Sequence, residues 1–467
     1  MPVFKASGFF VPMRTTHIPV SPDWYTVILQ TYANREHGEV TKRSMTMGAI
    51  ARRITRVITA VVCVAVSVGV SVATLHVPTR EGGGERFNPA RYRSDVIADT
   101  VINHTTGVDK TQGTGTAGSP YDNKGYFPEA GYTPSDFHAP CSIWTYRDAE
   151  SVWNCQVSGL QDLDTSSPHV RDVLSDYFVK LLDYGVAGFR VDAVKHMPPE
   201  DVLAIKKLVA KKSGRSMNDI WWTQEVIGDN AEAAEIQPRN YLKTGQVNEF
   251  QYAYRLKSLF SNSLAGGSLS IKDIPQNITD SGKASVFVTN WDTERNNMTL
   301  TYKDGDAYRL ANAFMLAYPY GAPNVFSGYE FHDTDSGASG ATATSVPDID
   351  CSKDSGWSCT ERWPDVHGMV GWHNVAGDAP LSDWQDDGDN MIAFGRGGRA
   401  FIAINNSVRT RTVTYHTALP AEYCDVYASA DCSGSVHVRF DGDATLTVPA
   451  GSAVAFHIAA TPYTVRQ

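Results

Sequence analysis

Positive charge is in short supply in this 467-residue sequence: 41 Lys and Arg stand against 51 Asp and Glu, a formal net charge of −10. Nucleic-acid binders usually carry a basic footprint, so the charge argues against that class of partner. No internal repeat is present, which argues against a solenoid or propeller. No CxxC spacing occurs among the seven cysteines, which removes the common zinc and dithiol motifs. Long apolar runs are confined to one, Val57–Val77.

Six of the seven cysteines form three pairs close in sequence: Cys141 with Cys155, Cys351 with Cys359, and Cys424 with Cys432. Such pairs read as disulfides closing small loops in an oxidising compartment; reduced, buried thiols are the other reading. Cys63 lies inside the apolar run. Arg52, Arg53 and Arg56 precede that run, giving the basic-then-apolar order of an export signal. Met45 or Met47 is the more natural start, so residues 1–44 read as an upstream extension and 45–77 as a signal peptide. An uncleaved anchor is the alternative, since about 20 apolar residues span a bilayer.

Past a Gly82–Gly84 linker, a strand over Asp95–Asn103 precedes a long excursion, residues 105–160, rich in Gly, Thr, Ser, Pro and aromatics. Then the pattern alternates. Val170–Tyr184 has apolar residues at helical spacing, Gly188–Val191 is a short strand, and prolines open a helix over Pro199–Lys212. Strands follow at Ile220–Gln224, Gln246–Phe250, Ala284–Thr289 and Asn324–Ser327, with a helix at Tyr308–Ala317 before the last. This alternation implies a parallel sheet with crossover helices. After about residue 375, Met391–Phe394, Arg399–Asn405, Thr412–Tyr415, Val436–Phe440 and Ala444–Ile458 read as strands of an all-β sandwich.

Three acids end apolar strands: Asp192 after Gly188-Phe189-Arg190-Val191, Glu225 after Trp221-Trp222-Thr223-Gln224, and Asp292 after Val286-Phe287-Val288-Thr289-Asn290-Trp291. Strand ends of a parallel barrel form its active face. Arg190 points to the same side as Asp192 and would keep that carboxylate ionised. The hydrophobic approach to Glu225 favours a raised pKa, suited to a general acid. Singly, Asp192 is as readily a structural ion pair, and a lone Glu at a strand end such as Glu225 is more often structural. Together they match glycosidic chemistry, with a nucleophile, an acid/base and a stabiliser of positive charge.

These segments resemble the four ordered signature regions of the α-amylase family, glycoside hydrolase family 13, in its secreted bacterial and animal type. They are Asp99-Thr100-Val101-Ile102-Asn103-His104, Gly188 to His196, Gln224-Glu225-Val226-Ile227, and Phe287 to Asp292. The resemblance implies an α/β fold of (β/α)8 TIM-barrel type over residues 78–104 and 161–374, with the excursion 105–160 as an inserted calcium-binding loop domain and 375–467 as the sandwich. It implies a secreted, monomeric enzyme that hydrolyses α-1,4 bonds of an α-glucan, with Asp192 as nucleophile, Glu225 as acid/base and Asp292 as stabiliser. His104, Tyr146, Arg190, Lys195, His196 and Trp291 would line the sugar subsites. Calcium would take the Asn103 and Asp162 side chains and the carbonyls of His196 and Trp153. Chloride beside Arg190 and Asn290 is a weaker implication, because no basic partner follows Ser327-Gly328-Tyr329.

Two departures stand out. The family carries a His where Trp291 stands, so lower turnover is expected. Only six strands are counted, an incomplete barrel with two bare edges. The alternatives are a secreted glucan-binding homologue with no turnover, and a relative that transfers or isomerises glucosyl units.

Overall fold

The computed structural model describes residues 97–465 apart from 108–111, 115–118, 262–278, 335, 342–347, 349, 353 and 430, together with the backbone of 8–14 and 24–30. The apolar run 57–77, Cys63 and the linker lie outside the described residues. Among the described residues no helix is long and apolar enough to cross a membrane.

Six parallel strands form a curled sheet in the order Ile97–Val101, Gly188–Asp192, Trp221–Gln224, Gln246–Asn248, Ala284–Phe287 and Ala322–Ser327. Almost every residue in them is buried, as in a sheet covered on both faces. The sequence left both edges of this sheet bare. Two strands, Gly8–Arg14 and Trp24–Gln30, pair with each other and with those edges, antiparallel to Ile97–Val101 and parallel to Ala322–Ser327, which closes the barrel.

Helices Pro168–Asp183 and Pro199–Ser213 cover the outside of the early strands. The first buries Val170, Leu174, Phe178 and Leu181, and Phe178 sits with its ring centroid 4.6 Å from Phe189 and 4.9 Å from Trp222. Gly188 lets this strand approach its neighbour: a Cβ there would come 2.3 Å from the Trp221 Cβ. Helices Phe250–Ser261, Asp306–Ala317 and Pro364–Ala376 continue the outer layer.

The excursion is closed by antiparallel strands His104–Gly107 and Leu160–Asp162 and held by Cys141–Cys155. Cys351–Cys359 and Cys424–Cys432 are the other two bridges. In the C-terminal domain, Leu381–Asp386, Met391–Arg396, Ala400–Asn405 and Ser452–His457 form a four-stranded antiparallel sheet. One face, with Phe401 and Phe456, packs on Tyr415, Tyr423 and Leu446 from two smaller sheets. The other, with Ile392, Phe394, Ile402 and Ala455, packs on the barrel helices through Phe314 and Trp372.

Several boundaries differ from the sequence reading. The Gln246 strand ends at Asn248, and Phe250 opens a helix. The strand expected over Ala284–Thr289 stops at Phe287. Ala444–Ile458 is two strands, Asp443–Val448 and Ser452–His457, parted at Pro449-Ala450-Gly451 with Gly451 at φ 58. Val436–Phe440 shrinks to Ser435–His437, leaving Phe440 in a turn and 99% exposed.

Candidate active site

Alternation along Gly188–Asp192 sends Phe189 and Val191 into the apolar layer with Phe178 and Trp222, and Arg190 and Asp192 to the opposite side. Arg190 is the hub of the site. Its Nη1 donates to Asp99 Oδ1 at 2.9 Å and to Asp192 Oδ1 at 2.8 Å, and its Nη2 pairs with Glu225 Oε2 at 3.2 Å. All four side chains are buried. Burial works against the Arg190 charge, but the carboxylates of Asp99, Glu225, Asp192 and Asp292 more than offset it and hold the guanidinium well above its ordinary value. Burial pushes Asp99 from 3.8 up to about 7; Arg190 pulls it down, and the Asp192 charge pushes it up again.

Glu225 directly follows the strand Trp221–Gln224, and its N–H donates to the Val191 carbonyl at 2.9 Å, extending the ladder by one residue. Its Oε2 accepts from the Ala193 N–H at 2.8 Å. Ala193 is left-handed, at φ 53, immediately after Asp192. A residue with a Cβ pays roughly 1–2 kcal/mol for that conformation. The bend ends the strand and accompanies the bond from the Ala193 amide to Glu225.

Asp292 lies in the first turn of helix Trp291–Asn296, not on a strand tip. Asn290 caps this helix: its Oδ1 accepts from the Thr293 N–H at 2.9 Å, and Thr293 Oγ1 accepts from the Asn290 N–H at 3.0 Å. The half-buried Tyr254 phenol is raised by burial and then by the charges of Glu225 and Asp292, so the two acids act on one ring.

Lys195 and His196 follow Asp192 in the short turn Val194–His196. Lys195 Nζ donates to Glu232 Oε2 at 2.6 Å and lies 5.4 Å from the Tyr146 ring centroid; the His196 ring meets Tyr146 edge-on at 5.8 Å. Tyr146 comes from the excursion, and its carbonyl accepts from the Ala233 N–H at 2.8 Å. The structure thus joins excursion, Asp192 strand and Glu225 strand. His104 is buried at the start of the excursion. Trp291 is 1% exposed and packs with Ile97, Trp221, Ala322 and Phe326 in the barrel interior, a setting the sequence did not suggest for a residue lining a sugar subsite.

The residues implied for calcium meet at the root of the excursion. Asn103 Nδ2 donates to Asp162 Oδ1 at 3.1 Å, and Asp162 Oδ2 is 2.7 Å from His138 Nδ1. Asn103 Oδ1 is buried with no hydrogen-bond partner among the described residues. The His196 ring lies 3.4 Å from the Val152 carbonyl, which puts it beside Trp153 on helix Ala149–Asn154. An orphaned amide oxygen beside a buried carboxylate fits a hard cation that prefers oxygen. Chloride fares differently. The Arg190 guanidinium contacts three carboxylates, which compete with an anion for its N–H groups, while the Asn290 cap engages only its amide oxygen.

Sequence reasoning passed over Asp99, Glu232 and Tyr254. Asp99 entered only as part of the first signature segment; its role follows from pairing in register with Arg190 on the adjacent strand. Glu232 and Tyr254 come from segments with no motif of their own.

Comparison with known proteins adds a consistent result. The family described as "Alpha amylase, catalytic domain" matches residues 93–374, and "Alpha amylase, C-terminal all-beta domain" matches 382–459. The chain is 40% identical over 370 residues to an α-amylase of Streptomyces violaceus, covering 78% of this chain and 61% of that one. It is 36% identical over 394 residues to an α-amylase of Tenebrio molitor, covering 80% of this chain and 82% of the relative. The crystal structure of α-amylase I from Eisenia fetida superposes with a TM-score of 0.70 at 33% identity, covering 76% of this chain and 79% of that one. A variant of that protein has been solved with maltohexaose, with the same score and coverage.

Proposed function

The chain belongs to the α-amylase family of glycoside hydrolases, and from that premise we propose that it hydrolyses internal α-1,4-glucosidic bonds of starch-like glucans with retention of configuration. The observation that carries this reading is that one guanidinium, that of Arg190, contacts both Asp192 and Glu225 and also feels the charge of Asp292.

In the proposed sequence the Asp192 carboxylate attacks the anomeric carbon while the Glu225 carboxyl gives its proton to the departing glycosidic oxygen. An ester between Asp192 and the sugar results, and the first product leaves with the new hydroxyl. Glu225, now ionised, takes a proton from water, and the hydroxide oxygen displaces Asp192. Two inversions at one carbon give retention. Asp292 would stabilise the positive charge that builds on the ring. Arg190 binds Asp192 and fixes it relative to Glu225, and the Ala193 amide fixes the acid/base.

Lys195, His196 and Tyr146 supply donors and an aromatic face for the sugars, and His104, which follows Asn103, is assigned to the subsites with them. Calcium, held by Asn103, Asp162 and the carbonyls of His196 and Trp153, would supply a crosslink between excursion and barrel, keeping Tyr146 and His196 in place. The three disulfides support an oxidising, extracellular setting for such an enzyme.

The test is reducing-sugar release from soluble starch, with product anomers followed by proton NMR at early times. α-Anomers should appear first, and Asp192→Asn should lose on the order of 10⁴-fold or more in rate. Retained glucan binding with no release by the unaltered protein would instead favour the binding homologue.

A further inference from the structure

Trp144 is the one exposed tryptophan among the described residues, with 74% of its surface open to solvent. Its surroundings are fixed. The Trp144 N–H donates to Ser151 Oγ at 3.2 Å. Ile143, one residue before, packs with Ala149, Val152, Trp153, Ala233 and Ile236. Two residues later the Tyr146 carbonyl is tied to Ala233, and Cys141–Cys155 closes the loop around them. An indole exposed on a backbone anchored at both flanks has given up its own burial with no flexibility in return. Such a side chain is suited to binding, because its face is apolar and its edge tolerates water.

The direction of that binding follows from Tyr146. Tyr146 is half open, and its ring lies against His196 and Lys195, the residues that follow Asp192. Two residues span at most about 7 Å of backbone, so the exposed Trp144 indole is carried on the same tied segment as the Tyr146 ring. A pyranose ring has an apolar C–H face that stacks on an aromatic plane while its hydroxyls stay wet. We propose that Trp144 is an outer sugar subsite that stacks on a glucose unit of the α-glucan beyond the one at Tyr146, and so favours long chains over short ones. This rests on the glucan-hydrolase reading and adds a chain-length preference to it.

The experiment measures kcat and KM for maltotriose, maltoheptaose and soluble starch with the unaltered enzyme, Trp144→Ala and Trp144→Phe, each checked for an unchanged melting temperature. Trp144→Ala should raise KM about three- to tenfold for maltoheptaose and starch, leave kcat within about twofold, and leave maltotriose unchanged. Trp144→Phe should recover part of the loss. The tryptophan fluorescence change on adding maltoheptaose should shrink in both variants. KM values equal across all three proteins at every chain length would overturn the inference while the glucan-hydrolase reading stood. Failure of the unaltered protein to cut starch would overturn both.

Discussion

Asp99 and Arg190 are register partners on neighbouring strands, and the guanidinium reaches back to the Asp99 carboxylate at 2.9 Å while holding Asp192 at 2.8 Å. One planar fork therefore serves a structural acid, the proposed nucleophile and, at 3.2 Å, the proposed acid/base. A lysine ammonium is a point charge and cannot serve three directions from one plane. Arg190→Lys is expected to lower kcat/KM on soluble starch by about 100-fold or more. Arg190→Ala should also destabilise the fold by about 3–5 kcal/mol, since it strands buried carboxylates. Steady-state kinetics and denaturant unfolding check both. A lysine variant keeping more than a tenth of the activity would contradict the role given to the fork.

Glu294 makes stability depend on pH. Burial pushes its carboxyl from 4.5 up to about 8, with Arg295 and Lys303 pulling it partly back. The folded state thus binds its proton more tightly than the unfolded chain. The resulting stabilisation is full below about pH 4.5 and is lost as pH rises through about 8. Glu294→Gln removes this dependence. Its melting temperature, relative to the unaltered protein, should climb between pH 5 and 8 and level off above. Melting curves that keep a constant separation across that range would refute it.

Trp291 joins packing to the reaction. It fills space among Ile97, Trp221, Ala322 and Phe326, and its neighbours in sequence are the cap Asn290 and the acid Asp292. Replacement by histidine should cost about 2–4 kcal/mol, because a large buried ring leaves a void. Histidine would also offer a ring N–H for the sugar being cleaved, so kcat on starch should rise while the melting temperature falls. An unaltered kcat in Trp291→His would remove Trp291 from the subsites.

Asn103 Oδ1, buried with no hydrogen-bond partner among the described residues, makes calcium dependence measurable without turnover. Saturating calcium should raise the melting temperature of the unaltered protein, by an amount equivalent to about 2.7 kcal/mol at 100 times its dissociation constant. EGTA should reverse the rise. Asn103→Ala should melt at the same temperature with calcium and with EGTA. A calcium response that survives in this variant would move the ion elsewhere.

Much of the barrel was legible because its strands are short apolar runs between turn signals, and its early helices bury one clean face. Helix Pro364–Ala376 was not, because it is apolar on most sides: Val366, Met369, Val370, Gly371 and Trp372 are all buried. Helix Phe250–Ser261 was masked by reading the run into Phe250 as strand. Its core positions Phe250, Ala253, Leu256 and Phe260 do recur at helical spacing. In the site, Asp192 and Glu225 announced themselves by ending apolar strands. Asp99 did not, because its role depends on the register of a neighbouring strand. The interior position of Trp291 depends on residues from three strands distant in sequence, a fact no local pattern carries.

The bridge Cys141–Cys155 joins residues 14 apart, and closing such a loop removes roughly 3 kcal/mol of freedom from the unfolded chain. That restraint falls on the segment carrying Trp144 and Tyr146, while the acids and Arg190 belong to the barrel. Reduction would therefore divide grip from cut. The cleaving centre would keep its geometry as the rim slackened, so a thiol-rich environment would yield an enzyme that still breaks bonds but discriminates poorly among chain lengths.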